Sequence, residues 1–108
     1  MPVLSTIQAA ILLTAATTVA AGSRVAGVSG QKTFQASGST SSGTGAATIL
    51  VQGSHDGTNW DTIGTISLTL ATTTSSDSFA SNDRYAYVRG NVTAISGTGA
   101  AVSLTAGY

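Results

Sequence analysis

Strict alternation of aliphatic and hydroxyl side chains is the feature that most restricts what this chain can fold into. In the stretch TISLTL (Thr65–Leu70), each aliphatic residue follows a Thr or a Ser. A period of two places the aliphatic side chains on one face of a strand and the hydroxyls on the other. No stretch after residue 22 repeats its apolar residues with the helical period, so the pattern predicts a β-protein.

Four other stretches are also predicted to be strands: Lys32–Ser37, Thr48–Gln52, Tyr85–Ile95 and Val102–Thr105. Clusters of Gly, Ser, Asn and Asp separate them, among them TTTSSDS and ASND. Short strands divided by such loops are typical of an antiparallel β-sandwich or jelly roll. In the predicted strand Tyr85–Ile95, the residues expected to form the apolar face are Ala86, Val88, Gly90, Val92 and Ala94.

The hexapeptide SGTGAA occurs twice, at Ser42–Ala47 and at Ser96–Ala101. Each copy lies between two predicted strands, so we interpret both as hairpin connections in which Gly accepts a positive φ. A phosphate-binding loop is the alternative, but it requires a helix after the glycines, and here a strand follows.

Charged residues make up only 7% of the chain, whereas 18 Thr and 15 Ser supply its polar surface. An ordinary globular domain has about 25% charged residues. Two interpretations remain open, a protein that packs against copies of itself or a partner and a small neutral β-domain. The net charge is zero and no Cys is present, so we expect no nucleic-acid partner, no disulfide and no thiolate metal site.

The first 22 residues are uncharged and apolar, with Thr and Gln interspersed. A secretory signal would need a basic region before its apolar stretch, and the polar residues dilute any membrane span. We therefore divide the chain into an N-terminal arm over residues 1–22 and a jelly-roll-like β-sandwich over residues 23–108. Within the arm, residues 7–14 are expected to pair with a neighbouring molecule as a strand or short helix.

The stretch SHDGTNW contains a turn signal, the dipeptide Asp56-Gly57. Ser54 and Asp56 have side chains that can accept hydrogen bonds from the amides of the turn. Trp60 follows as the chain returns. The structural interpretation is a turn in which Trp60 folds over the loop and closes one end of the core.

The same loop also permits a sugar-binding interpretation, in which Trp60 stacks on a pyranose while Asp56, Asn59 and His55 bind hydroxyls. The loop resembles the sialidase Asp-box, although it lacks a residue between Asp56 and Gly57 and has Asn59 where Thr is expected. It also resembles the hairpin of discoidin-like sandwiches. In both families the motif is largely structural, so neither resemblance implies an active site.

Catalytic chemistry has little support in the sequence. His55 is the only His, and no nucleophile motif marks any Ser. Calcium binding by Asp56, Asn59 and Asp61 is an alternative, but these residues lack the spacing of an EF-hand loop. We expect no catalytic residue, no metal and no cofactor. An enzyme is therefore only a rival to the non-enzymatic interpretation.

The stretch NDRYAYVRG combines Tyr and Arg, the residue types enriched at protein interfaces. A solvated sheet face with cross-strand aromatic pairs is the alternative interpretation. The residues predicted to form an interface with another protein molecule are Ile7, Ile11, Leu13, Tyr85, Tyr87 and Arg89.

From about Val51 to Tyr108 the chain resembles small Gly/Ser/Thr-rich virion proteins of tailed bacteriophages. The resemblance lies in the DG-x-x-W loop, the strand IGTISL, and YVRGNVT followed by ISGTGAAV. It implies a non-enzymatic minor capsid or decoration protein, made in the host bacterial cytoplasm and attached to the capsid surface. Its expected partners are the major capsid protein and copies of itself, most simply as a trimer. A tail or neck component and a carbohydrate-binding module displayed on the virion are the alternatives.

Overall fold

The computed structural model describes residues 9–27 and 31–108, and these form an all-β protein. Residues 1–8 and 28–30, and with them the predicted interface residue Ile7, lie outside the described residues. The strands are β1 (Ala9–Ala16), β2 (Ala20–Ala21), β3 (Val25–Ala26), β4 (Lys32–Ser39), β5 (Ser42–Ser54), β6 (Asp61–Leu70), β7 (Ser75–Ser81), β8 (Tyr87–Thr98) and β9 (Ala101–Gly107).

Two antiparallel sheets pack face to face. One has the strand order β1-β9-β4-β7, and the other has the order β2-β8-β5-β6 with β3 also paired to β8. Because β2 and β3 are short and both pair with β8, they act as two pieces of one edge strand. With these two pieces taken as one strand, the strand orders of the two sheets are those of a jelly roll. We call the sheet that contains β1 the four-stranded sheet and the sheet that contains both β2 and β3 the five-stranded sheet. The predicted all-β, jelly-roll-like sandwich is therefore confirmed.

The core lies between the sheets and consists mainly of aliphatic side chains. In β6, Ile66, Leu68 and Leu70 are buried while the intervening Thr and Ser residues are exposed, as the alternation predicts. Phe34 in β4 is fully buried, and its ring centroid lies 5.4 Å from that of Phe79 in β7. The alternate aliphatic residues of the sequence therefore form the apolar layer between the two sheets.

Strand β8 follows the predicted pattern only in its first half. Val88, Gly90 and Val92 are buried, but Ala94 is exposed and Ile95 packs against the core. The pairing explains the change, because Thr48 pairs with Ala94 while Ile49 pairs with Val92. One extra residue in β8 reverses which side chains face inward.

Strand β7 lies in a region that the sequence analysis assigns to loops. It pairs with β4 over seven residues, from Lys32↔Ser81 to Gly38↔Ser75. Its residues are mostly Ser, and Phe79 is its one large apolar side chain, so no alternation marks it. Backbone pairing and the packing of Phe79 define this strand.

The described part of the predicted arm belongs to the sandwich itself. Strand β1 pairs with β9 of the same chain, with Ala10 opposite Ala106 and Leu13 opposite Leu104. Leu12 and Leu13 are buried in the core, whereas Ile11 is 65% exposed. Strand β1 is an edge strand, so the expectation that residues 7–14 pair with a neighbouring molecule stays a prediction, and such pairing would use the other edge of β1. Leu13, predicted to lie at an interface, is part of the chain's own core. Aliphatic side chains of an edge strand gain more from this core than from an exposed position.

Both copies of SGTGAA connect the two sheets, so the hairpin interpretation is wrong. The first follows β4 and starts β5, and the second ends β8 and leads into β9. The two copies also pair with each other, through Ser42↔Thr98 and Ala46↔Ser96. A Cβ atom on Gly45 would lie 2.1 Å from the carbonyl oxygen of Ser96, so the close approach of the two copies requires glycine.

Exchanging Leu13 for alanine tests whether β1 is part of the core. We expect Leu13→Ala to lower the free energy of unfolding by about 2–4 kcal/mol, because it leaves a cavity beside Leu104. Ile11→Ala, on the same strand but exposed, should change it by less than about 0.5 kcal/mol. Urea unfolding followed by Trp60 fluorescence measures both values. Equal, small effects would contradict the placement of β1.

Candidate functional site

The loop between β5 and β6 is organised by the side chain of Ser54, which is 1% exposed. Its hydroxyl oxygen accepts hydrogen bonds from the backbone amides of Asp56 and Gly57, at 3.2 and 2.9 Å. The hydroxyl donates to Oδ1 of Asp56 at 2.9 Å. A buried Ser at the end of β5 therefore fixes the first half of the loop.

Asp56 fixes the second half through its exposed carboxylate. Oδ1 accepts hydrogen bonds from the backbone amides of Thr58 and Asn59, both at 2.8 Å, and Oδ2 accepts one from Nδ2 of Asn59 at 2.7 Å. These bonds, the backbone amide of Asn59 first, hold the pKa of Asp56 well below its ordinary value of 3.8. The carboxylate is thus occupied within the turn, as predicted for Asp56. The prediction that Trp60 closes one end of the core is wrong, because its ring lies against Arg89 and not among the core residues.

Gly57 is required at the tip of the loop for two reasons. Its φ of 77° lies in the left-handed region, which L side chains rarely adopt. A Cβ atom there would also lie 1.9 Å from Nη1 of Arg24, so the guanidinium group rests against the backbone of the loop. The loop and the segment between β2 and β3 are therefore in direct contact.

Tyr85 packs behind the loop. Its ring stacks on His55 with centroids 5.3 Å apart, and it covers the space over Gly53 that a side chain would occupy. Nδ1 of His55 accepts a hydrogen bond from the backbone amide of Ala86 at 3.3 Å. Tyr85 also contacts the core. Both His55 and Tyr85 thus hold the ends of the neighbouring loops together.

The outer face of the five-stranded sheet carries two arginines stacked on aromatic rings. Arg89 in β8 has its Cζ 4.2 Å from the ring centroid of Trp60, and its Nε donates to Oε1 of Gln52 at 2.9 Å. Arg24 has its Cζ 4.5 Å from the ring centroid of Tyr87. We call these five residues the arginine–aromatic patch.

The structure divides the residues predicted from sequence between two faces. Tyr87, Arg89 and Trp60 share the patch, whereas Ile11 lies on the other sheet. Arg24 and Gln52 were not predicted. Gln52 pairs with Arg89 across β5 and β8, so only the strand register could have identified it.

Two shallow cavities lie elsewhere on the described surface, with volumes of about 310 and 250 Å³. The larger is beside the buried Lys32, whose Nζ donates a hydrogen bond to the carbonyl oxygen of Asp83. Within residues 9–27 and 31–108, no three His, Cys, Asp or Glu side chains are grouped as a metal site. Nor does this part of the chain contain a helix suited to crossing a membrane.

Comparison with models of protein families, with curated proteins and with solved structures gives no match to this chain.

Replacing the Asp56 carboxylate tests its role in the turn. The pKa of Asp56 is lower in the folded state than its ordinary value of 3.8, which holds in the unfolded chain. The carboxylate therefore stabilises the fold above pH 3.8, and this contribution is lost as the pH falls through the folded-state pKa. We expect Asp56→Asn to be less stable than the wild type near neutral pH, and the difference to shrink as the pH falls below about 4. Urea unfolding at several pH values measures this, and a constant difference would contradict it.

Proposed function

We propose that this chain is a non-enzymatic structural protein of a tailed-phage virion, a minor capsid or decoration protein. It binds the capsid surface as a homo-oligomer and stabilises the shell. The observation that carries the proposal is the uncharged outer face of the four-stranded sheet. The resemblance of Val51–Tyr108 to virion proteins of tailed phages is the reason for proposing a phage particle as the partner assembly.

The uncharged face is built from residues that alternate with the core positions. Register places Ile11, Thr105, Gln35 and Ser78 in one row across four strands. The neighbouring rows add only small or uncharged side chains, namely Thr33, Ser37, Ser39, Ser76, Ala80, Ala101, Ser103 and Gly107. A second protein molecule can cover such a face without burying an ionised group, which is the costly step in forming an interface.

The fold agrees with this proposal by analogy. Jelly rolls form many viral capsid domains, and they also occur in lectins and cupins. A fold alone does not imply a function. The uncharged face distinguishes the assembly role, because a free monomer ordinarily uses charged side chains to stay soluble.

A decoration protein stabilises a shell by bridging adjacent subunits. Specific interfaces bury about 1,200–2,000 Å² in total, and this contact must be lost before the shell ruptures. Closed symmetry suits such a protein, since it leaves no surface for open-ended growth. We expect a trimer, which matches the three-fold positions of a capsid lattice.

The location on the particle is tested by copy number. Quantitative mass spectrometry of density-purified virions should find the chain in amounts comparable with the major capsid protein. A ring of only a few copies would place it in the neck or tail instead. Absence from particles would overturn the proposal.

A charge placed on the uncharged face tests the assembly. We expect the wild type to sediment as a trimer and Gln35→Lys to sediment as a monomer, because association would bury several ammonium groups. Thr65→Lys, an exposed strand position on the other sheet, is the matched control and should remain a trimer. Analytical ultracentrifugation measures the mass, and thermal unfolding shows that both variants fold. A monomeric wild type, or a trimeric Gln35→Lys, would contradict this use of the face.

A further inference from the structure

We propose that the arginine–aromatic patch binds an acidic segment of a partner protein through its carboxylates. The patch lies on the sheet opposite the uncharged face. This inference concerns a second binding surface, and it stands whether or not the chain forms the oligomer proposed above.

The patch places two guanidinium groups on the same face of the protein. Tyr87 and Arg89 alternate with the buried Val88 and Gly90, so both lie on the outer face of β8. Arg24 reaches the same face by stacking on Tyr87. Along β8 the backbone positions of Tyr87 and Arg89 are roughly 7 Å apart, because each residue of a strand adds about 3.3 Å. Among the residues that the structure describes, no carboxylate lies within 4.0 Å of either guanidinium group. Two cations on one face without a carboxylate partner are complementary to an anionic ligand.

Most hydrogen-bond donors of the two arginines remain available. A guanidinium group has five N–H donors. Within the described structure, Arg89 donates its Nε–H to Gln52, while the stacking of both arginines on aromatic rings occupies none of their N–H donors. A guanidinium group binds a carboxylate through two parallel hydrogen bonds, and such pairs are among the strongest in proteins.

The arginines are also held in place before a ligand arrives. Arg89 is fixed between Trp60 and Gln52, and Arg24 lies between Tyr87 and the backbone of Gly57. Restraining long side chains in advance lowers the entropy lost on binding. Trp, Tyr and Arg are the residue types that contribute most to protein interfaces. These features suit a specific site better than a general attraction of charges.

A protein partner fits this patch better than a sugar. One face of the Trp60 ring lies under Arg89, which removes that face as a stacking platform. Asp56 and Asn59, the other groups of the sugar-binding interpretation, hydrogen-bond to each other within the loop. What the patch offers is paired cations on an aromatic support, and the matching groups are the carboxylates of Asp and Glu side chains.

The experiment uses poly-L-glutamate as the acidic polypeptide and follows Trp60, the single Trp of the chain, by fluorescence. We expect binding that changes the Trp60 emission and weakens as salt rises. Arg24→Gln and Arg89→Gln should each reduce the affinity about tenfold, because each removes a charge-assisted hydrogen-bond pair. Arg84→Gln is the matched control, since Arg84 is an exposed arginine outside the patch, and it should reduce the affinity less than about twofold.

Arg89→Lys separates guanidinium recognition from charge alone, because it keeps the charge and loses the bidentate geometry. We expect it to bind less tightly than the wild type and more tightly than Arg89→Gln. Thermal unfolding of each variant checks that the fold is intact. No binding of poly-L-glutamate, or an equal loss in Arg84→Gln, would overturn the proposal. Tighter binding of polygalacturonate than of poly-L-glutamate would also overturn it, in favour of an acidic glycan.

Discussion

The sandwich depends on the close approach of its two sheets, which glycine permits at two inward-facing positions. A Cβ atom on Gly90 would lie 2.6 Å from Cδ2 of Leu104 and 2.8 Å from Cδ1 of Leu13, and one on Gly64 would lie 2.5 Å from Cζ of Phe79. Large side chains of the four-stranded sheet therefore fill the space that glycine leaves on the other sheet. Two of these side chains, Leu13 and Phe79, come from the edge strands β1 and β7. The same packing that closes the core thus holds both edge strands in place, including β1 near the N-terminus.

The two SGTGAA segments add a second constraint at one end of the molecule. Both lead the chain from one sheet to the other. The two connections lie side by side, because the first enters β5, the second leaves β8, and these strands are hydrogen-bonded neighbours. Ser41 on the first side donates from its backbone amide to the carbonyl oxygen of Thr98 on the second, at 2.9 Å. Small residues are needed because the two crossings share the same space, with Gly97 against Gly45. The repetition in the sequence therefore reflects two crossings that pack on each other.

Residue pattern alone predicts the parts of this fold that follow a simple period. Alternation identified the strands β4, β6 and β9, and it identified the inner face of Thr65–Leu70, a stretch over which the pairing with β5 is regular. It failed for the second half of β8, where an extra residue reverses the faces, and for β7, where Phe79 is the one large apolar side chain. The Asp56-Gly57 turn was visible from local chemistry, since Ser54 and Asp56 act within a few residues. Arg24 was not visible, because its contacts with Tyr87 and Gly57 depend on long-range pairing.

Separation of charge between the two faces explains how so few ionised residues can serve recognition. One outer face has no charged side chain in its rows, while the other positions Arg24 and Arg89 on aromatic rings. A single pair of solvent-accessible arginines binds an acidic segment weakly, since water and salt screen the attraction. An oligomer formed through the uncharged face would present several such patches at once, and linked weak sites bind far more tightly than any one of them. In the proposed assembly the two surfaces would therefore support each other, because association through one would multiply the effect of the few charges on the other.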